Sequence, residues 1–206
     1  RLQREKARLA ATRIEQFIRD VEHQTRWATG SPEATLDERR FDYLRLLRQV
    51  PAITEVALLD SSGREQLRVS RLAGGVMRSQ ADFSRAPHFL EAKSGKTYFG
   101  PVYFRSDSEP YMTIALAGDD TEAGVTVVAV NLKFAWDVVS QIRIGKAGQA
   151  YAVDSRGQLV AHPDISLVLQ KTDLSSLPQV QAARAAPRTP DDERHQVTTA
   201  RDRQGR

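Results

Sequence analysis

Cysteine is absent from this sequence of 206 residues. A chain without thiols forms no disulfide, binds no metal through thiolates and uses no cysteine nucleophile, so three common kinds of site are excluded. Long apolar stretches are absent as well. No window approaches the roughly 18 to 20 consecutive apolar residues that a membrane-spanning helix needs, and no signal-peptide pattern is present.

Motifs for catalysis and metal binding are scarce. The four histidines show neither i, i+4 pairing nor the spacing of metal ligands; they are His23, His88, His162 and His195. No serine lies in a Gly-x-Ser-x-Gly motif. The segment Ser94–Thr97 resembles the end of a phosphate-binding loop, but Leu90 stands where that loop needs glycine. We therefore expect a segment that is not an enzyme and that holds neither a metal nor a cofactor.

Basic and acidic residues are nearly balanced. The chain has 30 lysines and arginines against 26 aspartates and glutamates, so the formal net charge is only +4 although the isoelectric point is about 9.6. Charges of both signs are interspersed, without the basic face and aromatic stackers of a nucleic-acid interface. We expect no nucleic-acid partner, and the 40% of hydrophobic residues suffices for a packed globular core.

The first 50 residues predict two helices. Apolar residues along Arg1–Thr29 recur at helical spacing and form one stripe, which consists of Ala10, Ile14, Phe17, Ile18 and Val21. A narrow stripe on a long charged helix suits either core packing or a dimer seam. Ser31–Pro32 has the residues of a helix start, and Pro51 ends a second helix that runs to about Val50.

One hairpin pattern occurs twice. In Glu55–Ser70 two apolar runs flank the turn Asp60–Gly63, and Ala150–Pro163 repeats this order 94 residues later, with Asp154 in the place of Asp60. Asp accepts backbone hydrogen bonds in such turns, and Gly adopts the positive φ that they need. A hairpin that recurs at this distance favours two small modules over a single domain.

The remaining patterns complete an α+β fold. After the first hairpin and a loop with Gly74–Gly75, three further strands are predicted: Thr97–Phe104, Tyr111–Ala117 and Gly124–Leu132. These five strands have connections too short for crossovers, so we expect an antiparallel sheet with helices packed on one side. The other predicted elements are helices at Pro87–Lys93, Lys133–Ile142 and Leu174–Arg184, a loop at Ala185–His195 and the beginning of a strand at Gln196–Ala200. The second module is thus unfinished in this sequence.

Four segments resemble the double Cache sensor domain, a fold of two stacked PAS-like modules. They are Asp82–Phe89, Gly95–Phe104, Gly124–Leu132 and, most specific of all, Ile144–Asp154 continued through His162–Pro163. The resemblance extends over nearly the whole chain and accounts for the two hairpins, because each module begins its sheet with one. It implies a helical stalk at 1–51, a membrane-distal module with a linking helix at 52–140 and an incomplete membrane-proximal module at 141–206.

The resemblance also implies a function. Double Cache domains normally lie outside the cytoplasmic membrane between two transmembrane helices and signal to a histidine kinase, a chemoreceptor or a nucleotide cyclase. We expect a periplasmic, non-catalytic ligand sensor of a bacterial inner-membrane receptor, with a histidine kinase as the favoured output. A homodimer through the helix Arg1–Thr29 would relay the signal. The alternative is a structural dimerisation or relay module whose pocket is filled by its own side chains.

The expected ligand site lies in the distal module. Family members that bind amino acids carry an Arg-x-Trp-Tyr-like run in the helix and an Asp at the end of the last distal strand, whereas here Ser84–Phe89 has no Trp and Asn131 replaces the Asp. Because the sequence shows no buried acid to compensate two arginines, we expect a small anionic or neutral polar ligand, such as a carboxylate. Arg85 and His88, three apart on one short helix, would face the same way. The candidate contact residues are Arg85, His88, Tyr103, Arg105, Tyr111 and Asn131.

Overall fold

The structure is a computed structural model that describes residues 2–29, 33–72, 75–77, 79–105, 109–118, 124–144 and 148–185. Its helices and strands are, in chain order, α1 (Leu2–Thr29), α2 (Leu36–Gln49), β1 (Ile53–Leu59), β2 (Glu65–Ser70), β3 (Gly75–Met77), α3 (Pro87–Lys93), β4 (Tyr98–Phe99), β5 (Tyr103–Arg105), β6 (Glu109–Ala117), β7 (Val125–Asn131), α4 (Lys133–Ser140), β8 (Arg143–Ile144), β9 (Gly148–Gln149), β10 (Ala152–Val153), β11 (Leu159–Ala161), α5 (Ile165–Leu169) and α6 (Pro178–Ala185).

The chain forms two compact units. The main-sheet unit comprises Ile18–Arg105 and Glu109–Leu132, as far as these ranges are described. The hairpin unit comprises the described residues within Arg1–Phe17 and Lys133–Arg206. The boundary falls inside α1, so this helix supplies residues to both units.

The main sheet has seven strands among the described residues, in the order β3-β2-β1-β7-β6-β4, and β5 also pairs with β6. Every pair is antiparallel, as predicted. The predicted count of five strands was too low for two reasons. Thr97–Phe104 is divided into β4 and β5 around Pro101, which has no N–H to donate to a neighbouring strand. Strand β3 begins at Gly75, inside the predicted Gly74–Gly75 loop, and its three residues are too few to show an alternation.

Helices cover both faces of the main sheet. Thr126 and Val125 are neighbours on β7, so their side chains point to opposite faces. The Tyr43 hydroxyl of α2 lies 2.7 Å from the Thr126 hydroxyl, whereas Phe89 of α3 packs in one apolar cluster with Val125. The prediction that helices pack on one side is therefore wrong. Strand β1 shows the reason: six of its seven residues are buried, and a strand buried on both faces needs cover on both.

A buried arginine ties the end of α1 to α2. Arg39 donates to the carbonyl oxygens of Ala28 at 3.2 Å and Thr29 at 2.8 Å, which lie in the last turn of α1 and accept no hydrogen bond within that helix. Helix α2 itself begins at a capping box whose N-cap is Thr35. The predicted helix start at Ser31–Pro32 was therefore misplaced, and those two residues lie outside the described part of the chain.

The apolar stripe of α1 is covered by the chain itself. Ala10 is 7% exposed and Val21 is 2% exposed, while the other three residues of the stripe are half-buried. In the hairpin unit the ring of Phe17 packs against the ring of Phe134, with their centroids 4.8 Å apart. Core packing, one of the two interpretations of the stripe, is thus its role within the chain.

The two predicted hairpins have the same turn. In the main-sheet unit Asp60 Oδ1 accepts hydrogen bonds from the backbone amides two and four residues further on, at 2.9 and 3.0 Å. In the hairpin unit Asp154 Oδ1 accepts the two equivalent bonds at the same two distances. Gly63 and Gly157 both have positive φ, 87° and 90°. The pairing of β1 with β2 and that of β10 with β11 also shift register at the same place, immediately before the turn.

The correspondence continues beyond the hairpins. The amide of Phe83 donates to the carbonyl of Gly63 at 2.8 Å, and the amide of Leu174 donates to the carbonyl of Gly157 at 2.9 Å. In each unit this bond draws the following segment onto the turn. The two hairpins are therefore the first part of a longer structural repeat.

The same repeat positions a helix in each unit. Asp82–Phe89, with the sequence DFSRAPHF, leads into α3, and Asp173–Val180, DLSSLPQV, leads into α6, with proline as the first helical residue in both. The offset is 91 residues here and 94 in the hairpins, so His88 corresponds to Gln179. Helix α6 begins four residues after the predicted Leu174, because the residues before it belong to the turn that the repeat conserves.

Three short elements of the hairpin unit, β8, β9 and α5, are not predicted from the sequence because two to five residues carry no measurable periodicity. The predicted strand Gln196–Ala200 lies outside the described residues. So does the predicted loop Ala185–His195, apart from Ala185, which ends α6.

The close approach at the first turn predicts an unequal effect of two similar substitutions. A Cβ added to Gly63 would lie 2.6 Å from Ser84 Cα, whereas a Cβ added to Gly95 meets no atom within 4 Å, and both glycines have positive φ. Gly95→Ala should cost about 1 kcal/mol for the backbone conformation alone. Gly63→Ala should cost roughly 2 to 4 kcal/mol, because the clash adds to that strain. Urea unfolding measures both, and equal losses would contradict the described contact.

Candidate functional site

Alternate residues of the main sheet share a face, and we refer to the side that α3 covers as the α3 face. Strand registers place small side chains near its centre: Ala57, Thr113, Ala115 and Ala129. Longer polar side chains stand around them on β1, β2, β5 and β6. Ala57 and Ala115 are themselves buried, and Ala115 packs in the apolar cluster with Phe89 of α3. The partly exposed polar side chains around them are therefore the part of this face that could contact a small molecule.

Arg68 is held on this face by two glutamates. Its guanidinium donates to Glu55 and to Glu65, with a distance of 2.9 Å from Nε to Glu65 Oε2. Glu65 is fully buried and also accepts from the hydroxyl of Ser79. Burial alone would raise the pKa of Glu65, but the hydrogen bonds from Arg68 and Ser79 and the Arg68 charge outweigh it, so this pKa lies below its usual value.

Arg105 approaches the same glutamate from the opposite side of the face. Its guanidinium lies 3.4 Å from Glu55 Oε2 and stands over two aromatic rings, 5.2 Å from the centroid of Tyr111 and 5.8 Å from that of Tyr103. The two rings are stacked with centroids 6.0 Å apart. Glu55 thus binds both arginines, and cation–π contacts hold the second one in place.

A third glutamate lies at the end of β6. Glu109 Oε2 accepts from the Tyr111 hydroxyl at 3.1 Å and from Asn131 Nδ2 at 3.0 Å. Both donors are neutral, so the carboxylate is oriented without being neutralised by them. Burial raises the pKa of Tyr111, and its hydrogen bond to Glu109 raises it further, while the one from Asn131 opposes this.

His88 closes the other end of the face. Its ring lies between those of Phe83 and Tyr98, with centroid distances of 5.5 and 6.2 Å. Burial lowers the pKa of His88, and the charge of Arg68 lowers it further. The imidazole is therefore neutral at neutral pH and presents one donor and one acceptor.

Five of the six predicted site residues lie together on the α3 face, and Arg85 does not join them. Helix α3 begins at Pro87 with Ala86 as its N-cap, so Arg85 precedes the helix, and its side chain is exposed. The expectation that it shares a helical side with His88 is therefore wrong. The turn before α3 belongs to the repeated motif, and periodicity does not reveal where such a turn gives way to a helix.

Most residues that set the charge of the site were not predicted from the sequence. They are Glu55, Glu65, Arg68 and Glu109, together with the aromatic Tyr98. The premise that no acid compensates the predicted arginines is wrong for Arg105, which pairs with Glu55, while Arg85 is exposed and does not join the site. A signal was present for Glu55, a charge that interrupts the mainly apolar strand β1. Glu65 and Arg68 are three residues apart on β2, so alternation alone places them on opposite faces, and only the register shift in the pairing of β1 with β2 brings them to one face.

A second concave region of the main-sheet unit lies between α1 and α2. This groove has a volume of about 360 Å³ and is lined by eight residues, among them His23 and Trp27. Its Asp42 and Arg45 are paired with each other at 3.1 Å, and most of its polar side chains are exposed. Because no fully buried polar side chain lines it, the groove is a weaker candidate than the α3 face.

Within the described ranges, no group of histidine, aspartate and glutamate side chains is arranged to hold a metal ion. In the same part of the chain no helix combines the length and the apolar character of a membrane span.

Comparison with known proteins identifies the family. The dCache_1 family model, described as a Cache domain, matches residues 1–203. This chain belongs to the Cache domain family. The resemblance found in the sequence is thereby confirmed, and with it the α+β fold class. Cache domains are non-catalytic sensor modules, typically in the extracytoplasmic part of membrane receptors.

Solved structures that share the Cache fold come from two classes of receptor. The extracellular domain of the histidine kinase mmHK1S-Z2 is 19% identical with a TM-score of 0.69, covering 89% of this chain and 82% of that one. The ligand-binding domain of the Campylobacter jejuni chemoreceptor Tlp3, solved with 4-methylisoleucine, is 15% identical with a TM-score of 0.65, covering 88% and 75%. That of the Pseudomonas aeruginosa amino acid chemoreceptor PctC, solved with GABA, is 17% identical with a TM-score of 0.61, covering 86% and 78%. At these identities the likeness shows the fold alone. No protein of curated function matches the sequence significantly.

The buried glutamate of this Cache domain predicts a pH-dependent stability. Its pKa is lower in the folded chain than its usual 4.5, so its ionised form contributes stability that is fully present above pH 4.5 and is lost as pH falls through the folded pKa. Glu65→Gln should lower the free energy of unfolding by about 1 to 3 kcal/mol at pH 7 and by much less at pH 3.

Urea unfolding of the variant and the wild type at the two pH values measures this difference. Glu91→Gln is the matched control, because Glu91 is exposed on α3 and loses the same charge. A Glu65→Gln loss that is equal at pH 7 and pH 3 would show that the ionised form of Glu65 does not stabilise the fold.

Proposed function

We propose that this Cache domain is the extracytoplasmic ligand-sensing domain of a transmembrane receptor, and that it binds a small polar molecule on the α3 face of the main-sheet unit. One observation carries the proposal. Partly exposed polar side chains converge around the small residues at the centre of that face and are already held in place by one another: Arg68, His88, Tyr103, Arg105 and Asn131. Such preorganised convergence is typical of a ligand site.

The charges of the site favour a ligand that carries an ammonium group. An anionic ligand was expected because Arg85 and Arg105 had no compensating acid. Arg85 lies off the face, and the arginines on it, Arg68 and Arg105, face Glu55 and Glu65, so these charges balance. Glu109 is then the excess charge, at the end of the site and beside two aromatic rings. A carboxylate next to aromatic faces attracts a cation both through its charge and through the ring quadrupoles.

Arg105 suits the other end of a zwitterion. Its contact with Glu55 is long at 3.4 Å, which leaves guanidinium N–H groups for the carboxylate of a ligand. The Cache domains of Tlp3 and PctC were solved with 4-methylisoleucine and GABA, and both compounds combine an amine with a carboxylate. We therefore propose an amino-acid-like ligand for the main-sheet unit.

We further propose a histidine kinase as the output. The support is the similarity to the extracellular domain of mmHK1S-Z2, whose TM-score of 0.69 exceeds those of the Tlp3 and PctC domains. Chemoreceptor output is the second candidate, since two of the three structures belong to chemoreceptors. The chain would then act in the periplasm of a bacterial inner-membrane receptor.

A homodimer through α1 is part of the proposal, with a different seam from the one expected. The predicted stripe is occupied by the chain itself. Leu9 and Trp27 remain 64% and 76% exposed. They lie 18 residues apart, five full helical turns, and therefore on one side of α1. Exposed apolar side chains in line along a helix suit pairing with a second copy.

The proposed ligand class is tested with three probes of equal chain length, n-butylammonium, butyrate and GABA. Thermal shift should show stabilisation by the ammonium-bearing probes and little by butyrate. Glu109→Gln should weaken the ammonium-bearing probes by about 1.5 to 3 kcal/mol, the contribution of a charged hydrogen bond. Glu91→Gln changes the net charge equally but lies outside the site, so its binding should equal that of the wild type.

Butyrate binding as tight as GABA binding, or unchanged GABA binding in Glu109→Gln, would contradict the role of Glu109 while leaving a ligand sensor. A broad metabolite screen tests the sensor itself, because a ligand at 100 times its dissociation constant adds about 2.7 kcal/mol of stability. If no compound of the screen stabilises the domain, the result favours the alternative, a relay module without a small ligand.

The dimer seam is tested by reversing its polarity. The double substitution Leu9→Glu and Trp27→Glu should weaken self-association at least tenfold, because it places like charges in the seam of both copies. Sedimentation velocity over a concentration series measures this. Leu72→Glu is the control, since Leu72 is 61% exposed and lies off α1. A wild-type chain that stays monomeric throughout, or a double variant that associates unchanged, would refute the seam.

A further inference from the structure

The part of α1 that belongs to the main-sheet unit has a buried side which, among the described residues, makes no hydrogen bond to the sheet. That side consists of Val21, Thr25, Ala28 and Thr29. The hydroxyls of Thr25 and Thr29 each donate to the carbonyl four residues earlier at 2.7 Å, so both are satisfied inside the helix. Apolar packing has no preferred direction, so this side does not by itself fix the position of α1 along the sheet.

A directed contact between α1 and the sheet is present at Thr97, directly before β4. The Thr97 hydroxyl donates to Glu22 Oε1 at 2.6 Å and accepts from Arg26 Nη2 at 3.0 Å. Arg26 also donates to Glu22 at 3.2 Å, so the three side chains form a closed set of hydrogen bonds, which we call the Thr97 contact. Because Glu22 and Arg26 are one turn apart, this contact determines which turn of α1 lies at the edge of the sheet.

The residue after Thr97 belongs to the ligand site. The ring of Tyr98 lies 6.2 Å from that of His88 and packs against the apolar cluster that contains Phe89. One peptide bond therefore joins a residue of the site, Tyr98, to a residue that binds α1.

Strand β4 is the weakly held part of this connection. It has only two residues and lies at the edge of the main sheet, where β6 is its partner among the described strands. A short edge strand with few backbone hydrogen bonds opens more easily than the central strands of a sheet. A group that packs against Tyr98 therefore affects how firmly β4, and Thr97 before it, is held.

We propose that the Thr97 contact couples the ligand site to α1. A ligand that packs against His88 and Tyr98 immobilises β4, strengthens the Thr97 contact and so fixes α1 against the sheet. This inference rests on the ligand site proposed above and gives that site a route to the helix of the proposed dimer. Coupling is reciprocal, so loss of the Thr97 contact weakens ligand binding although the Thr97 hydroxyl is bound to α1.

The coupling is first tested without a ligand, by hydrogen exchange of the backbone amides of residues 22–29. Tyr98→Ala removes the ring that holds β4, so exchange in this part of α1 should rise about twofold to fivefold, the range for partly exposed charged pairs. The Thr97→Val background already lacks the hydroxyl, so there Tyr98→Ala should raise this exchange no further. Thr97→Ser keeps a hydroxyl and should behave as the wild type does.

GABA is the probe of the second experiment. It should slow the exchange of residues 22–29 in the wild type. Thr97→Val should abolish this protection and weaken GABA binding, measured by calorimetry, by about twofold to fivefold. Thr12→Val is the matched control, because Thr12 is exposed on α1 and loses the same hydroxyl without touching the Thr97 contact.

The two experiments separate the coupling from the ligand class. A wild type that does not bind GABA contradicts the proposed ligand, and the ligand-free experiment then decides the coupling. The coupling is overturned if Tyr98→Ala leaves the exchange of α1 unchanged or raises it equally in both backgrounds. It is also overturned if bound GABA protects α1 equally in the wild type and in Thr97→Val. Tyr98→Leu, a smaller change, replaces Tyr98→Ala if that variant does not fold.

Discussion

The Asp-x-x-Gly turn is the constraint on which the rest of the main-sheet unit depends. Asp60 fixes the backbone that follows it through two amide hydrogen bonds. Gly63 then brings its backbone so close to Ser84 that no side chain fits between them, and its carbonyl accepts the amide of Phe83. The segment that leads into α3 is therefore fixed to the turn. This contact therefore fixes the position of α3 over the sheet, and with it the position of His88.

Glu55 organises the chemistry that this scaffold presents. It accepts from Arg68 on one side and from Arg105 on the other, so one carboxylate spans the floor of the site. A guanidinium in such a half-buried position is costly unless it is paired, and the fully buried Glu65 supplies the second partner of Arg68. The site is thus neutral across its centre before any ligand arrives. In the proposed site, recognition of ligand charge would then depend on groups at the edge, where Glu109 lies.

The sequence predicted features that depend on neighbouring residues and missed those that depend on residues far apart in the chain. The hairpin turns and the helix Pro87–Lys93 depend on neighbours in sequence, and the predictions there agree with the structure. The division of Thr97–Phe104 depends on a proline that breaks pairing with another strand. The pairing of Glu55 depends on arginines 13 and 50 residues away. Periodicity predicts the face of the sheet on which a side chain lies. It does not predict which charged residue of another strand pairs with it.

The two units show why membership of the Cache family does not by itself specify a ligand. They share the turn, the register shift and the approach to the helix, all of which are backbone features. They differ in side chains on one face, where Ala57 and Arg68 of the main-sheet unit become Tyr151 and His162 in the hairpin unit. The shared features fix the backbone, and the differing ones decide which side chains lie between the hairpin and the helix that follows it. The same backbone arrangement therefore occurs twice with two different sets of side chains, and a function has to be argued from those side chains and not from the fold.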